Sequence, residues 1–126
     1  GLAVLPHMET ILAERKRVVD FYNENLDLSK IQTLKIRANT QWNYSYYPIV
    51  FEDEDTLLRV QKALNEEQIF PRRYFYPSLN TINYIDKRSM PISENIASRI
   101  LCLPLFVDLK QSQIESICEI INSSIL

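Results

Sequence analysis

Trp42-Asn43-Tyr44-Ser45-Tyr46-Tyr47-Pro48-Ile49-Val50-Phe51-Glu52-Asp53-Glu54-Asp55-Thr56-Leu57-Leu58-Arg59-Val60-Gln61-Lys62-Ala63-Leu64 changes character half-way along. Up to Phe51 it is dense in Tyr, Ile and Val, the composition of a half-buried strand. Beyond Asp53, Leu57, Val60, Gln61 and Leu64 return at helical spacing and mark the inner face of a helix reaching about Glu67. Asp53 suits the N-cap, and Glu54 and Asp55 fall in the first turn, where the helix dipole favours acids. Pro48 cannot donate to a ladder, so it predicts an edge position or a bulge for this strand.

Upstream, Met8, Ile11, Leu12, Val18, Val19, Tyr22 and Leu26 recur at helical spacing, a helix of about five turns from near Pro6 to near Asn25. Pro6 suits its first turn. Leu34 to Ile36 alternates and predicts a short strand. Downstream, Ile69 to Tyr76 reads as a strand or extended segment bent by Pro71 and Pro77, and Asn80 to Met90 as a loop. Ser93 is expected to cap a short helix with Ile96, Ala97 and Ile100 inward, stopped at Pro104. Ile114, Ile117, Cys118, Ile121 and Ile125 define the last helix, expected to pack with the Met8 helix on one face of the sheet. The order helix, strand, strand, helix, strand, helix, helix holds no repeated crossover units. It predicts an α+β fold, a small and mainly antiparallel sheet covered by helices, as a single domain over residues 1–126.

At 126 residues and 46% hydrophobic, the chain can bury one core of useful size. Fourteen Lys and Arg against sixteen Asp and Glu leave a net charge of -2, which removes the electrostatic case for nucleic acid or an anionic membrane as partner. The one glycine, Gly1, excludes a glycine-rich phosphate cradle. His7 and two cysteines cannot complete a four-ligand Cys/His zinc site, and a Ser-His-Asp triad would have only His7 to use. Cys102 and Cys118 lie among apolar neighbours and read as buried thiols. No apolar run approaches the ~20 residues of a membrane span, and Gly1 to Pro6 is too short for a signal peptide, so a cytoplasmic chain is expected.

Polar and aromatic groups converge in Pro71-Arg72-Arg73-Tyr74-Phe75-Tyr76-Pro77-Ser78-Leu79-Asn80. Adjacent guanidinium groups can hold phosphate or carboxylate, and tyrosines can stack on a base or sugar while donating hydrogen bonds. Strand alternation offers a plainer account: Arg72, Tyr74 and Tyr76 on one side, Arg73, Phe75 and Pro77 on the other, one set solvated and one packed. The cluster Trp42, Tyr44, Tyr46, Tyr47 is explained the same way without a ligand. Glu14 to Arg17 reads as a solvated helix face, and helix capping accounts for the acids Glu52 to Asp55 without a divalent cation. His7 has no ligand at metal spacing and is given no role.

Arg72-Arg73-Tyr74-Phe75-Tyr76-Pro77-Ser78-Leu79, followed by Met90-Pro91-Ile92-Ser93-Glu94-Asn95-Ile96-Ala97-Ser98-Arg99-Ile100-Leu101-Cys102-Leu103-Pro104-Leu105, resembles the DegT/StrS family of sugar aminotransferases. Leu5-Pro6 with Ile11 to Arg17, and Asp108-Leu109 with the closing helix, resemble the two ends of that family's C-terminal small domain. The resemblance implies the aspartate-aminotransferase fold and a parent enzyme that uses pyridoxal phosphate to aminate a keto group of a nucleotide-linked sugar, with glutamate as amino donor. It also implies a homodimeric parent and a place in amino-sugar, surface-polysaccharide or lipopolysaccharide biosynthesis. The Arg-Arg-Tyr-Phe-Tyr-Pro form resembles members acting at C-4 of a deoxythymidine-diphosphate keto sugar.

In that family the lysine bonded to the cofactor belongs to a large N-terminal domain. Lys16, Lys30, Lys35, Lys62, Lys87 and Lys110 do not match its segment, so the chain alone is expected to hold no cofactor and to be inert. The resemblance places Arg73, Tyr74, Tyr76 and Asn80 at the substrate, and no residue in catalysis, cofactor or metal binding. Two positions depart from the family. Gln68 stands where many members have the glycine that ends a helix in a left-handed residue, so strain or a different turn is expected. Asn80, Thr81 and Asn83 occupy a loop where many members have a histidine. The alternatives are a self-sufficient module binding an anionic ligand through Arg72, Arg73, Tyr74 and Tyr76, and a structural interaction domain.

Overall fold

The fold was obtained as a computed structural model that describes residues 1–86 and 88–125. After a 3-10 turn at Leu5–His7 come α1 (Met8–Asn25), β1 (Gln32–Thr33), β2 (Tyr47–Val50), α2 (Glu54–Glu66), a 3-10 turn at Leu79–Thr81, α3 (Pro91–Arg99), β3 (Ile100–Leu103) and α4 (Gln111–Ser124). The three strands form one antiparallel sheet in the order β1-β2-β3. The expected α+β class, with a small antiparallel sheet and helices around it, is the class observed. The helices contribute Val18, Val19, Leu57, Leu64, Ile117 and Ile121 to a core that Ile49, Phe51 and Leu101 of the sheet region complete. α4 packs against both α1 and α2, as the apolar stripes of α1 and α4 required. Asn122 of α4 ties that pairing by donating to the Asn25 carbonyl and accepting from the Asp27 N–H.

Pro48 lies in the central strand, not at an edge or in a bulge. Its position is nonetheless consistent with its chemistry. Opposite Pro48, Cys102 directs its N–H and carbonyl outward to Arg72, so this pair exchanges no bonds across β2 and β3. The Pro48 nitrogen therefore faces the β1 side, where pairing has already stopped at Thr33 with Ile49. A further pair, Leu34 with Pro48, would need the missing N–H. That shifts β1 to Gln32–Thr33 and leaves Leu34 and Ile36, the expected strand, exposed. Likewise β2 is shorter than the aromatic run, because Tyr44 is left-handed (φ 51°) and breaks the extended conformation before Tyr46.

The third strand also differs. Ile69 to Tyr76 forms no regular strand; Arg72 alone bridges Cys102 through two main-chain bonds of 3.2 and 2.9 Å. The true third strand is Ile100–Leu103, inside the stretch read as helix up to Pro104. An apolar run of this length fits a buried strand or a helix equally well, and Leu101, Cys102 and Leu103 are all buried. Ser93 is not the cap of α3. Met90 is, Pro91 opens the helix, and Ser93 is its third residue. Asp53 does cap α2, its carboxylate accepting from the Thr56 N–H at 2.7 Å.

Candidate functional site

The residues singled out at 72–80 fall into two groups around the turn that follows the Arg72 bridge. Arg72 has an exposed side chain. Arg73 turns inward: its Nη2 donates to Glu54 at the start of α2 (2.6 Å) and to the Ser98 carbonyl near the end of α3 (2.7 Å). Its guanidinium carbon lies 3.4 Å from the centre of the Tyr76 ring, a cation–π contact. The hydrogen bond from Arg73 is the chief reason the Glu54 carboxyl lies below the usual carboxylate range, with burial opposing it. Strict alternation would have sent Tyr76 away from Arg73. Phe75 is left-handed (φ 56°), so the chain turns there and brings Tyr76 to the Arg73 side.

Tyr74 and Asn80 belong to the second group. With Phe75, Ser78, Met90 and Ile96 they line an open, largely apolar cavity of about 450 Å³ between the turn and α3. The Tyr74 hydroxyl donates to that of Tyr46 at 3.0 Å, and its ring packs on Phe75 at 4.4 Å between centroids. At the cavity floor Ser78, which is buried, donates to Asn80 Oδ1 (2.6 Å). Asn80 Nδ2 donates to Glu94 Oε1 (2.6 Å) and to the Arg88 carbonyl (2.7 Å). The four expected residues thus form two pairs, Arg73 with Tyr76 and Tyr74 with Asn80.

Glu54, Ser78 and Glu94 are not among the four residues expected at the substrate. Glu54 looked like an ordinary first-turn acid, and its partner lies 19 residues away. Glu94 had a local signal: Pro91 marks the first helical turn, which makes Met90 the cap and sets Glu94 to reach back to the Met90 N–H at 2.8 Å. Elsewhere the expected buried thiols are found. Burial raises the Cys102 thiol, and burial, with Glu119 adding to it, pushes Cys118 up to about 12. Among the described residues no three His, Cys, Asp or Glu side chains converge as a metal set, and no helix is long and apolar enough to cross a membrane.

Residues 1–122 match the DegT/DnrJ/EryC1/StrS aminotransferase family. The chain belongs to that family. It is 33% identical over 129 residues to a dTDP-4-amino-4,6-dideoxy-D-glucose transaminase of Shigella dysenteriae, covering 97% of this chain and 35% of that protein. It is 28% identical over 123 residues to a GDP-perosamine synthase of Escherichia coli O157:H7, covering 97% and 34%. The PLP-form of Spr1654 from Streptococcus pneumoniae shares the fold, with a TM-score of 0.86 at 20% identity over 99% of this chain and 34% of that one. This DegT-family chain therefore spans about a third of the length of the relatives it matches. A pyridoxal-phosphate site needs a lysine set in an enclosed polar pocket. Lys16, Lys30, Lys35, Lys62 and Lys110 are all exposed and none borders the Tyr74 cavity; Lys87 lies outside the described residues. The Tyr74 cavity thus has no lysine in its lining among the described residues.

Proposed function

We propose that this chain is the C-terminal small domain of a pyridoxal-phosphate-dependent aminotransferase that aminates a keto group of a nucleotide-linked sugar. The observation that carries the reading is the family match over residues 1–122 in a chain a third as long as its relatives, two of which are named for 4-amino-dideoxy-sugar and perosamine synthesis. The rest of the polypeptide supplies the cofactor and its lysine, glutamate supplies the amino group, and the parent works as a homodimer in the cytoplasm. The chain alone is then inactive. Tyr74, Tyr76 and Asn80 border the sugar site in this reading. Arg73 belongs to it through Tyr76, because its Nη2 is already engaged by Glu54 and Ser98.

Two measurements test this. Treatment of the purified chain with pyridoxal phosphate and borohydride should label no single lysine stoichiometrically; one site-specific adduct would refute the division of labour. In the parent enzyme, Tyr76→Phe should lower kcat/KM for the nucleotide sugar roughly tenfold, as expected for one lost hydrogen bond. The half-reaction with the amino donor should be unchanged, because a group touching only the sugar stabilises only that transition state. An equal fall in both half-reactions would remove Tyr76 from the sugar site.

A further inference from the structure

The polar groups beneath the Tyr74 cavity form a ring that begins and ends on α3. Ser78 has one hydroxyl proton, and Asn80 Oδ1 receives it. The 2.9 Å contact between Ser93 Oγ and Ser78 Oγ must then be donated by Ser93. Asn80 directs its Nδ2 protons to Glu94 Oε1 and to the Arg88 carbonyl. Glu94 Oε1 also accepts the Met90 N–H at 2.8 Å, and the Glu94 N–H donates to the Met90 carbonyl at 2.9 Å. Ser93 and Glu94 are neighbours in the first turns of α3. Ser78 and Asn80 open a segment in which Tyr84 is 82% exposed and Ile85 42% exposed.

We propose that Glu94 is a positioning residue that clasps the Ser78–Asn80 turn and the Arg88–Met90 strand of chain onto α3, and so sets the rim of the Tyr74 cavity. One oxygen joins two chain positions ten residues apart, Asn80 and Met90, through charge-assisted hydrogen bonds. The carboxylate is the terminal acceptor toward which the Ser93, Ser78 and Asn80 protons run in sequence. The hydrogen bonds from Met90 and Asn80 hold the Glu94 carboxyl below the usual range, in keeping with an ionised acceptor. Because Asn80 has both its Nδ2 protons and its Oδ1 engaged in this ring, it acts at the cavity by holding the turn in shape. The clasp is a property of this chain and stands whether or not the aminotransferase reading of the cavity is right.

The test is amide hydrogen exchange on the whole chain and three variants, read at Thr81, which donates to the Ser78 carbonyl, and at Met90. Glu94→Ala should speed exchange at both amides roughly tenfold or more, the loss expected for hydrogen bonds to a charged acceptor, while Ile117 and Ile121 in α4 keep their protection. Glu94→Gln keeps an oxygen in place and should restore most of the protection. Asn80→Ala should reproduce the Glu94→Ala pattern at Thr81, and the double variant should add nothing further. Unchanged exchange at Thr81 and Met90, failure of Glu94→Gln to rescue, or additive effects in the double variant would each overturn the clasp. If Glu94→Ala unfolds the chain, Asn80→Ala decides the matter by the same criterion at Thr81.

Discussion

The Arg73 guanidinium stacks on the Tyr76 ring at 3.4 Å while the same group bridges the start of α2 and the end of α3. One side chain therefore couples the aromatic turn to two helices. Its side chain is 15% exposed, whereas that of its neighbour Arg72 reaches solvent. Arg73→Ala should lower stability by roughly 1–2 kcal/mol through the lost bond to the Ser98 carbonyl and the lost stacking. Arg72→Ala should stay within about 0.5 kcal/mol, since its bond to Cys102 is main-chain. Denaturant titration of the pair checks this, and equal losses would mean that the inward turn of Arg73 is immaterial to stability.

The end of α2 carries the strain expected at Gln68. The Ile69 N–H donates to the Leu64 carbonyl (2.9 Å) and the Gln68 N–H to the Asn65 carbonyl (3.0 Å), a pairing that forces Gln68 into the left-handed region at φ 60°. A Cβ there costs about 1–2 kcal/mol. Gln68→Gly should raise stability by about 0.5–1 kcal/mol net of the greater freedom glycine gives the unfolded chain. Gln68→Ala, which keeps the Cβ, should give no such gain. A Gln68→Gly protein no more stable than wild type would show that the turn relaxes by another route.

Acid should loosen the start of α2 before the rest of the chain. The Thr56 N–H hydrogen bond is the main cause of the lowered Asp53 pKa, and Arg73 does the same for Glu54. A carboxyl lowered in the folded state stabilises the fold above its unfolded value, ordinarily about 4, and loses that contribution as pH falls through the folded value. Protection of the Thr56 amide, taken relative to its intrinsic exchange rate, should therefore fall as pH drops below about 4, ahead of that of amides in α4. Asp53→Asn keeps a capping oxygen without the titration, so it should flatten the Asp53 part of that fall. A profile identical to wild type would assign the acid sensitivity elsewhere.

α4 is the element whose face was most plainly written in its residues. Ile117 and Ile121 are fully buried in the core, on a helix that packs against α1 and α2. Replacing either with Ala should cost roughly 2–5 kcal/mol, the range for truncating a large aliphatic side chain in a packed core. Glu115, which is exposed on the same helix, should tolerate Ala within about 0.5 kcal/mol. Thermal or denaturant unfolding of the three variants makes the comparison.

How much of this was legible follows from the range of the interactions. α1, α2 with its Asp53 cap, and the apolar face of α4 are set by contacts three or four residues apart and could be read directly. β1 and β3 could not, because a strand exists only where a partner runs beside it. Leu34 and Ile36 alternate as a strand should, yet Pro48 on the opposing strand has no N–H for them. Ile100–Leu103 reads as part of a helix until β2 and Arg72 are placed on either side of it.

The site divides in the same way. The residues themselves were enough to mark 72–80 as the place where aromatic and charged groups gather, and with the Met90–Leu105 motif to indicate the family. What each side chain does there was decided by tertiary structure. The left-handed Phe75 overrides alternation and puts Tyr76 on Arg73, and folding brings Glu54 and Glu94 within 2.6 Å of partners 19 and 14 residues away. Periodicity encodes which face a residue shows to its own element. It carries no record of which distant donor will meet it, because that depends on how the elements pack.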